Sequence, residues 1–149
     1  MYQKILAPFD GSELSECTIE HIKTIAVGCQ VREVILLTVM VPLPQVTQLG
    51  EEWQRDTDKK THEAAENHLK NIAAILNKEG LSTQTIVTPG LAADEILEHA
   101  KKSQADLIIM STHGRSGISR WVFGSVAEKV VRHSIVPVLA VSPHGCRVS

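Results

Sequence analysis

The chain has 149 residues, with 15 Lys and Arg against 17 Asp and Glu, a formal net charge of −2. That near-balance argues against a partner held by bulk charge, whether nucleic acid or an anionic membrane surface, and no apolar run approaches the roughly 18 residues that a membrane-spanning helix needs. At 43% hydrophobic and 21% charged, the composition is that of a globular domain. A chain of this length buries about two thirds of its unfolded surface without disulfides or metal, so residues 1–149 are expected to form a single domain. Met1-Tyr2-Gln3-Lys4-Ile5 runs straight into a strand-like segment with no signal-peptide pattern. Cys17, Cys29 and Cys146 are odd in number and share no close spacing, the pattern of a reduced, cytoplasmic protein.

Two periodicities alternate along the chain. Ile5-Leu6-Ala7-Pro8 is a short apolar run that stops at Asp10-Gly11-Ser12, a turn or helix-start signal. Leu14, Thr18, Ile22 and Ile25 then share one helical face. Val34 to Val41 is apolar on both parities, as a strand covered on both sides should be, and Pro42 and Pro44 end it. From Gln45 to about Asp58 the polar composition predicts a mobile loop, running into a long helix that ends near Gly80. Ala65, Leu69, Ile72 and Leu76 form its buried stripe, while Glu63, Glu66, Lys70 and Lys78 face water. Thr83 to Val87 is a weaker strand broken by Pro89-Gly90, followed by a helix with Ala93, Ile96, Leu97 and Ala100 inward. Leu107 to Met110 is another buried strand, Ser125 to His133 a short helix after a glycine-punctuated loop, and Val136 to Val141 a last strand. The tail from Ser142 is expected to fray.

Strands alternating with helices specify one parallel sheet sandwiched between helices. Right-handed crossovers leave few topologies, and the common one places the first strand centrally, in the order 3-2-1-4-5. Ligands of such sheets bind at the carboxyl ends of the strands, where the winding reverses. Here those ends are Asp10-Gly11-Ser12, Val39-Met40-Val41, Pro89-Gly90 and Ser111-Thr112-His113-Gly114.

The stretch from Met110 to Val126 is the richest in chemistry. It leaves a strand end, passes Gly114, Arg115, Gly117 and Arg120, and closes on Gly124-Ser125 at a helix start. Unpaired N–H groups at a helix N-terminus attract anions, glycine admits close approach of backbone to phosphate oxygens, and arginine adds bidentate donors. The pattern is a phosphate cradle that matches neither GxxxxGK[ST] nor GxGxxG. Each piece also has a plainer reading. Ser125 precedes Glu128 by three residues, a capping box, and Asp10 precedes Glu13 by the same spacing. Trp121 reads as a surface-loop residue and His113 as a turn residue, while Cys17 reads as packed among helical core positions. No HExxH, no zinc-spaced Cys/His cluster and no GxSxG elbow occurs, so no catalytic residue and no metal ligand is assigned.

Ser111-Thr112-His113-Gly114, nine residues and then Gly124-Ser125 resembles the nucleotide motif G-x-x-G-x9-G-[ST] of the universal stress protein family. Ile5 to Ser12 resembles that family's opening strand and Asp-containing turn, Val34 to Val39 its second strand, and Val136 to Val141 its closing strand. The resemblance implies a Rossmann-like, adenine nucleotide alpha hydrolase-like fold holding ATP, or ADP or AMP, across the crevice, with Mg or Mn at the phosphates. By position, Pro8, Phe9 and Asp10 would lie at the adenine and ribose, and the backbone of Val39 would read the adenine edge. Met110 and Ser111 would border the ribose. His113, Gly114, Arg115, Gly124, Ser125 and Val126 would surround the phosphates. The family also implies a homodimer through the last strand, Val136 to Val141.

One position departs from the motif, because its first glycine is Ser111 here. Were that glycine needed for a positive φ, serine would cost about 1–2 kcal/mol. The leading expectation is a dimeric regulatory protein of the stress response that binds an adenine nucleotide, with its protein partner unassigned. The alternatives are a nucleotide-free dimeric interaction module, which would lack the phosphate loop kept here, and a slow ATPase with His113 as the residue to test. The SGGxDS loop of related synthetases is not matched by Phe9-Asp10-Gly11-Ser12.

Overall fold

The computed structural model describes residues 1–42, 50–113 and 124–142, and of residues 14 and 50–54 the backbone alone. Strands β1 (Lys4–Pro8), β2 (Glu33–Met40), β3 (Thr83–Pro89), β4 (Leu107–Ser111) and β5 (Val138–Val141) form one sheet in the order β3-β2-β1-β4-β5. Every pairing is parallel, as the alternation of strands and helices requires. The helices are α1 (Glu13–Glu16), α2 (Thr18–Gly28), α3 (Gly50–Lys78), α4 (Ala92–Ser103) and α5 (Ser125–His133).

Alternate side chains of the strands feed two separate cores. Ile5, Ala7, Val34, Leu36, Leu107 and Ile109 meet Ile22 and Ala26 of α2 and Leu69, Ile72 and Leu76 of α3. Leu6, Ile35, Leu37, Ile108 and Met110 meet Ala93 and Ile96 of α4 and Ala127 and Val130 of α5. The helices after β1 and after β4 therefore lie on opposite faces of the sheet, and the winding reverses between these two strands.

That junction opens toward its carboxyl end. Pairing between β1 and β4 covers Ile5 opposite Leu107 and Leu6 opposite Ile108 and goes no further, while β1 stays paired with β2 up to Pro8 opposite Leu37. Main-chain groups alternate sides along a strand. Phe9 donates its N–H to Leu37 O of β2 at 2.8 Å, so the nitrogen of the residue before it points to β4. That residue is Pro8, which has no hydrogen to donate. The proline thus removes a rung on the β4 side and leaves the β2 side intact. Past it, the Thr38 hydroxyl, buried in β2, donates to Phe9 O at 2.9 Å and completes the attachment of this end to β2.

Four local expectations differ from the structure. The single helix read through Leu14, Thr18 and Ile22 is divided at Cys17 into α1 and α2. Ser15 Oγ donates to Ser12 O and Thr18 Oγ1 to Ser15 O, both at 2.8 Å, so hydroxyls engage carbonyls that a continuous helix would use. Helix α3 already includes Gly50 to Asp58, where a loop was expected. Polarity there reports an exposed helix surface, since the side chains of Asp56, Asp58, Lys59 and Lys60 all face water; residues 43–49 lie outside the described residues. The last strand begins at Val138, not Val136. Val136 N–H is taken by Ser134 Oγ at 3.1 Å, and Pro137 has no N–H for a ladder. Cys29 is a free thiol, but Cys17 is disulfide-bonded, so the expectation of reduced cysteines fails there.

The remaining boundaries agree within a residue or two, and Leu69, Ile72 and Leu76 are buried as the stripe predicts, with Ala65 half-buried. Two helices end on non-glycine residues in the left-handed region, Gln30 after α2 at φ 54° and Gln104 after α4 at φ 56°. No helix among the described residues is long and apolar enough to cross a membrane. Replacing Thr38 by Val keeps the shape but leaves the Phe9 carbonyl without its donor. The expected loss is about 1–3 kcal/mol, read as a lower urea midpoint at constant slope, and an unchanged midpoint would contradict the proposed anchoring.

Candidate functional site

The crevice between the ends of β1 and β4 gathers most of the residues singled out from the sequence. At the β1 side, Gly11 adopts φ 83°, a conformation open to glycine without strain, and turns the chain back on itself. Asp10 Oδ1 accepts the Ser12 N–H at 2.9 Å and the Ser12 hydroxyl at 2.5 Å. The N-cap of α1 is Ser12, whose Oγ accepts Ser15 N–H at 3.1 Å. Asp10 is therefore not the helix cap that its spacing to Glu13 suggested; it is half-buried and braces the turn from two residues before the cap.

Phe9 is placed differently from the other site candidates. Its ring is 2% exposed and belongs to the core under α2 and α3, and its N–H and C=O are both engaged by β2. Its part in the site is to anchor Asp10, not to meet a ligand with its side chain. Met110 is likewise buried, at 5% exposure, against the α4 and α5 face. Pro8 and Val39 are half-buried. Val39 has the parity of Leu37, so its main-chain N–H and C=O face the β1 side just beyond Phe9. This is where a planar ligand edge can be read by backbone.

On the β4 side the hub is Thr112, 6% exposed. Its N–H donates to Val141 O of β5 at 2.9 Å, and its C=O accepts Gly124 N–H at 2.8 Å. Its Oγ1 is hydrogen-bonded to His113 Nδ1 at 2.8 Å. One residue thus ties β4, β5 and the start of α5 together. A Cβ on Gly124 would sit 2.7 Å from Thr112 O, closer than side-chain carbons approach a carbonyl oxygen. The motif glycine is required for this close approach, since its φ is −59°. Sequence reasoning passed over Thr112, and only its place between Ser111 and His113 marked it.

Gly124 is the N-cap of α5 and makes no side-chain cap bond. Ser125, exposed, is the first helical residue, and Glu128 spends its carboxylate on Arg132 at 2.8 Å. The capping-box reading of Ser125 and Glu128 does not hold. The first N–H groups of α5, at Ser125 and Val126, have no acceptor within the helix, and the helix dipole adds a partial positive charge there. His113 Nε2 is enclosed and has no hydrogen-bond partner among the described residues. Gly114 and Arg115, with Arg120 and Trp121, lie outside the described residues.

Ser111 settles the departure from the motif. Gln30 and Gln104 are the only non-glycine residues with positive φ among those described, so Ser111 sits in ordinary strand geometry and carries no left-handed strain. Its hydroxyl donates to His113 O at 3.0 Å, closing the turn after β4. Among the described residues no group of three or more His, Cys, Asp or Glu side chains is placed to hold a metal ion. A groove of about 610 Å³ lined by Leu97, Lys101, His133 and Ile135 opens between the C-terminal ends of α4 and α5. It lies at the far end of the molecule, contains none of the motif residues and is not the candidate site.

Fold and crevice together define a doubly wound α/β domain whose crevice opens at the switch point, the place where folds of this class bind their ligands. The family model described as "Universal stress protein family" matches residues 1–142, and the chain belongs to that family. Universal stress protein MJ0577 of Methanocaldococcus jannaschii is 32% identical over 95% of each chain. The solved MJ0577 structure superposes with TM-score 0.85 at 34% identity, covering 95% of this chain and 96% of that one. Universal stress protein MJ0531 of the same organism is 35% identical, covering 95% of this chain and 82% of its own length. An Arabidopsis thaliana universal stress protein family protein with AMP bound shares the fold at TM-score 0.69 and 18% identity, over 94% of this chain and 91% of its own.

Replacing Ser111 by Gly removes the bond to His113 O and frees a strand residue. The expected cost is about 0.5–1 kcal/mol of stability, measured by chemical denaturation. A stabilised Ser111→Gly protein would mean that the serine is strained after all.

Proposed function

We propose that this chain binds an adenine nucleotide, ATP or its products ADP and AMP, in the β1–β4 crevice and acts as a dimeric regulatory protein of the stress response. The observation that carries the reading is the junction of Thr112 and Gly124. There a glycine is demanded by a 2.7 Å approach to a backbone carbonyl and stands directly before a helix whose first N–H groups have no acceptor within the helix. Such an end is built to receive phosphate oxygens. The family supports the reading. The AMP-bound Arabidopsis thaliana relative, at 18% identity, supports only that this fold accommodates such a ligand.

In the proposed arrangement the main chain of Val39 reads the adenine edge beside Pro8, and Asp10 accepts from a ribose hydroxyl while Ser12 holds its other contacts. Met110 and Ser111 border the ribose. Gly124, Ser125 and Val126 meet the phosphates with His113, together with Gly114 and Arg115 by the motif's order. With no metal-holding cluster among the described residues, Mg or Mn arriving with ATP would take its ligands from phosphate oxygens and water. The slow-ATPase alternative gains no support from His113. A general base must reach the attacking water, and the Nε2 of His113 is enclosed.

The dimer reading follows from the sheet order. β5 is an edge whose Val138, Leu139 and Ala140 are only half-buried, with Ile135 78% exposed beside them. An apolar edge of this kind, uncovered by any strand among the described residues, invites a second copy. We place the protein in the cytoplasm, where adenine nucleotides are abundant.

The decisive experiment is mass spectrometry of small molecules released from the purified protein, with titration calorimetry against ATP and magnesium. Bound or co-purifying ATP is expected, and Gly124→Val is expected to abolish it while circular dichroism stays native. Undiminished affinity in Gly124→Val would remove the phosphate cradle. No binding by the unaltered protein would favour the nucleotide-free interaction module.

A further inference from the structure

The turn that carries Asp10 continues into α1, a helix of four residues, too short to hold its place by its own hydrogen bonds. Something else must fix it. Glu16, the last residue of α1, accepts a hydrogen bond from His68 Nε2 of α3 at 2.8 Å, across 52 positions of sequence. The same imidazole stands edge-on to the Phe9 ring, with centroids 6.4 Å apart and planes at 75°. Phe9 is the residue before Asp10, and α1 begins at Glu13, three positions after it. His68 therefore grips both flanks of the Asp10 turn from a helix that is itself seated in the core through Leu69 and Ile72.

We infer that His68 is a positioning residue for the ligand site: with Glu16 and Phe9 it holds the Asp10 turn in place from α3. The inference rests on the reading that the crevice holds an adenine nucleotide whose ribose meets Asp10. Its chemistry is directional. Among the described residues the contacts of His68 are with Glu16 and Phe9 and not with Thr112 or Gly124 at the phosphate end, so its loss should be felt at the ribose and not at the phosphates. The Glu16 side chain is 46% exposed and that of His68 23%. A hydrogen bond so placed contributes modestly, and with the ring contact the effect is about threefold to tenfold in affinity.

The test uses the full chain and three variants, His68→Ala, His68→Gln and Glu16→Gln, each titrated calorimetrically with ATP and with 2′-deoxy-ATP. Hydrogen exchange of the backbone amides of residues 11–17 is followed without ligand. His68→Ala should lower ATP affinity by about threefold to tenfold and 2′-deoxy-ATP affinity by less than about twofold, with faster exchange across residues 11–17. His68→Gln keeps a donor at the position of Nε2 and should restore most of the ATP affinity. Unchanged exchange in His68→Ala overturns the inference, as does an equal loss for both nucleotides, which is what a general loosening of the fold would give. Binding of neither nucleotide by the unaltered protein fails the reading of the crevice and takes this inference with it. Binding with no difference among the variants fails the inference alone.

Discussion

A missing hydrogen on one nitrogen organises this molecule. Pro8 occupies the central strand at the point where a donor would reach β4, and the pairing of β1 with β4 is over by Leu6 and Ile108. A proline inside a sheet ordinarily weakens it. Here the weakening is confined to one side, because the Phe9 N–H, the Phe9 carbonyl and the Thr38 hydroxyl keep the strand end fastened to β2. The sheet parts where its two helical layers diverge, and the Asp10 turn and the β4 terminus become the two walls of one crevice. Most of the described candidate site groups hang from these walls, and Val39 on β2 lies beside them.

The two walls are held by different means. The β1 wall is a turn braced by side chains: Asp10 on Ser12, Ser12 on Ser15, and His68 on Glu16. The β4 wall is braced by main chain, with Thr112 bonded to Val141 and Gly124. Main-chain bonds survive most substitutions, whereas a network of hydroxyls and carboxylates is changed by any one of them. The β4 wall of the crevice is thus the fixed part, and the β1 wall is where sequence can adjust it. Ser111 illustrates the tolerance of the fixed wall, since a hydroxyl added to a strand residue found an acceptor at His113 O.

The strands, their order and the β4–α5 motif were legible because each is written in local pattern. Apolar runs of strand length, helical stripes such as Leu69, Ile72 and Leu76, and glycines at fixed spacing all act over a few residues. What was not legible depended on competition or on distance. The helix over Gly50 to Asp58 is polar around its described surface, so its periodicity is silent there. Ser125 and Asp10 each sat at capping spacing, yet Gly124 and Ser12 took the caps, because backbone geometry at the turn decided which residue stood one step outside the helix. Val136 looked like strand until Ser134 claimed its N–H. The pairing of Glu16 with His68 spans 52 positions, and no local signal announces it. Phe9 was named for the site on its position alone, and its alternating parity, shared with Ile5 and Ala7, was the clue that its ring belonged to the core.

The left-handed residues Gln30 and Gln104 mark the opposite pole of the molecule, where α2 turns into β2 and α4 into β4. Each holds a conformation that costs a side-chain-bearing residue about 1–2 kcal/mol relative to glycine, and each lies at the amino ends of the strands, remote from the crevice at their carboxyl ends. The fold therefore keeps a reserve of stability in a place remote from the crevice. Glycine at either cap would relieve that strain and leave both walls of the crevice as they are. Robustness and the shape of the crevice are, in this architecture, adjustable through different residues.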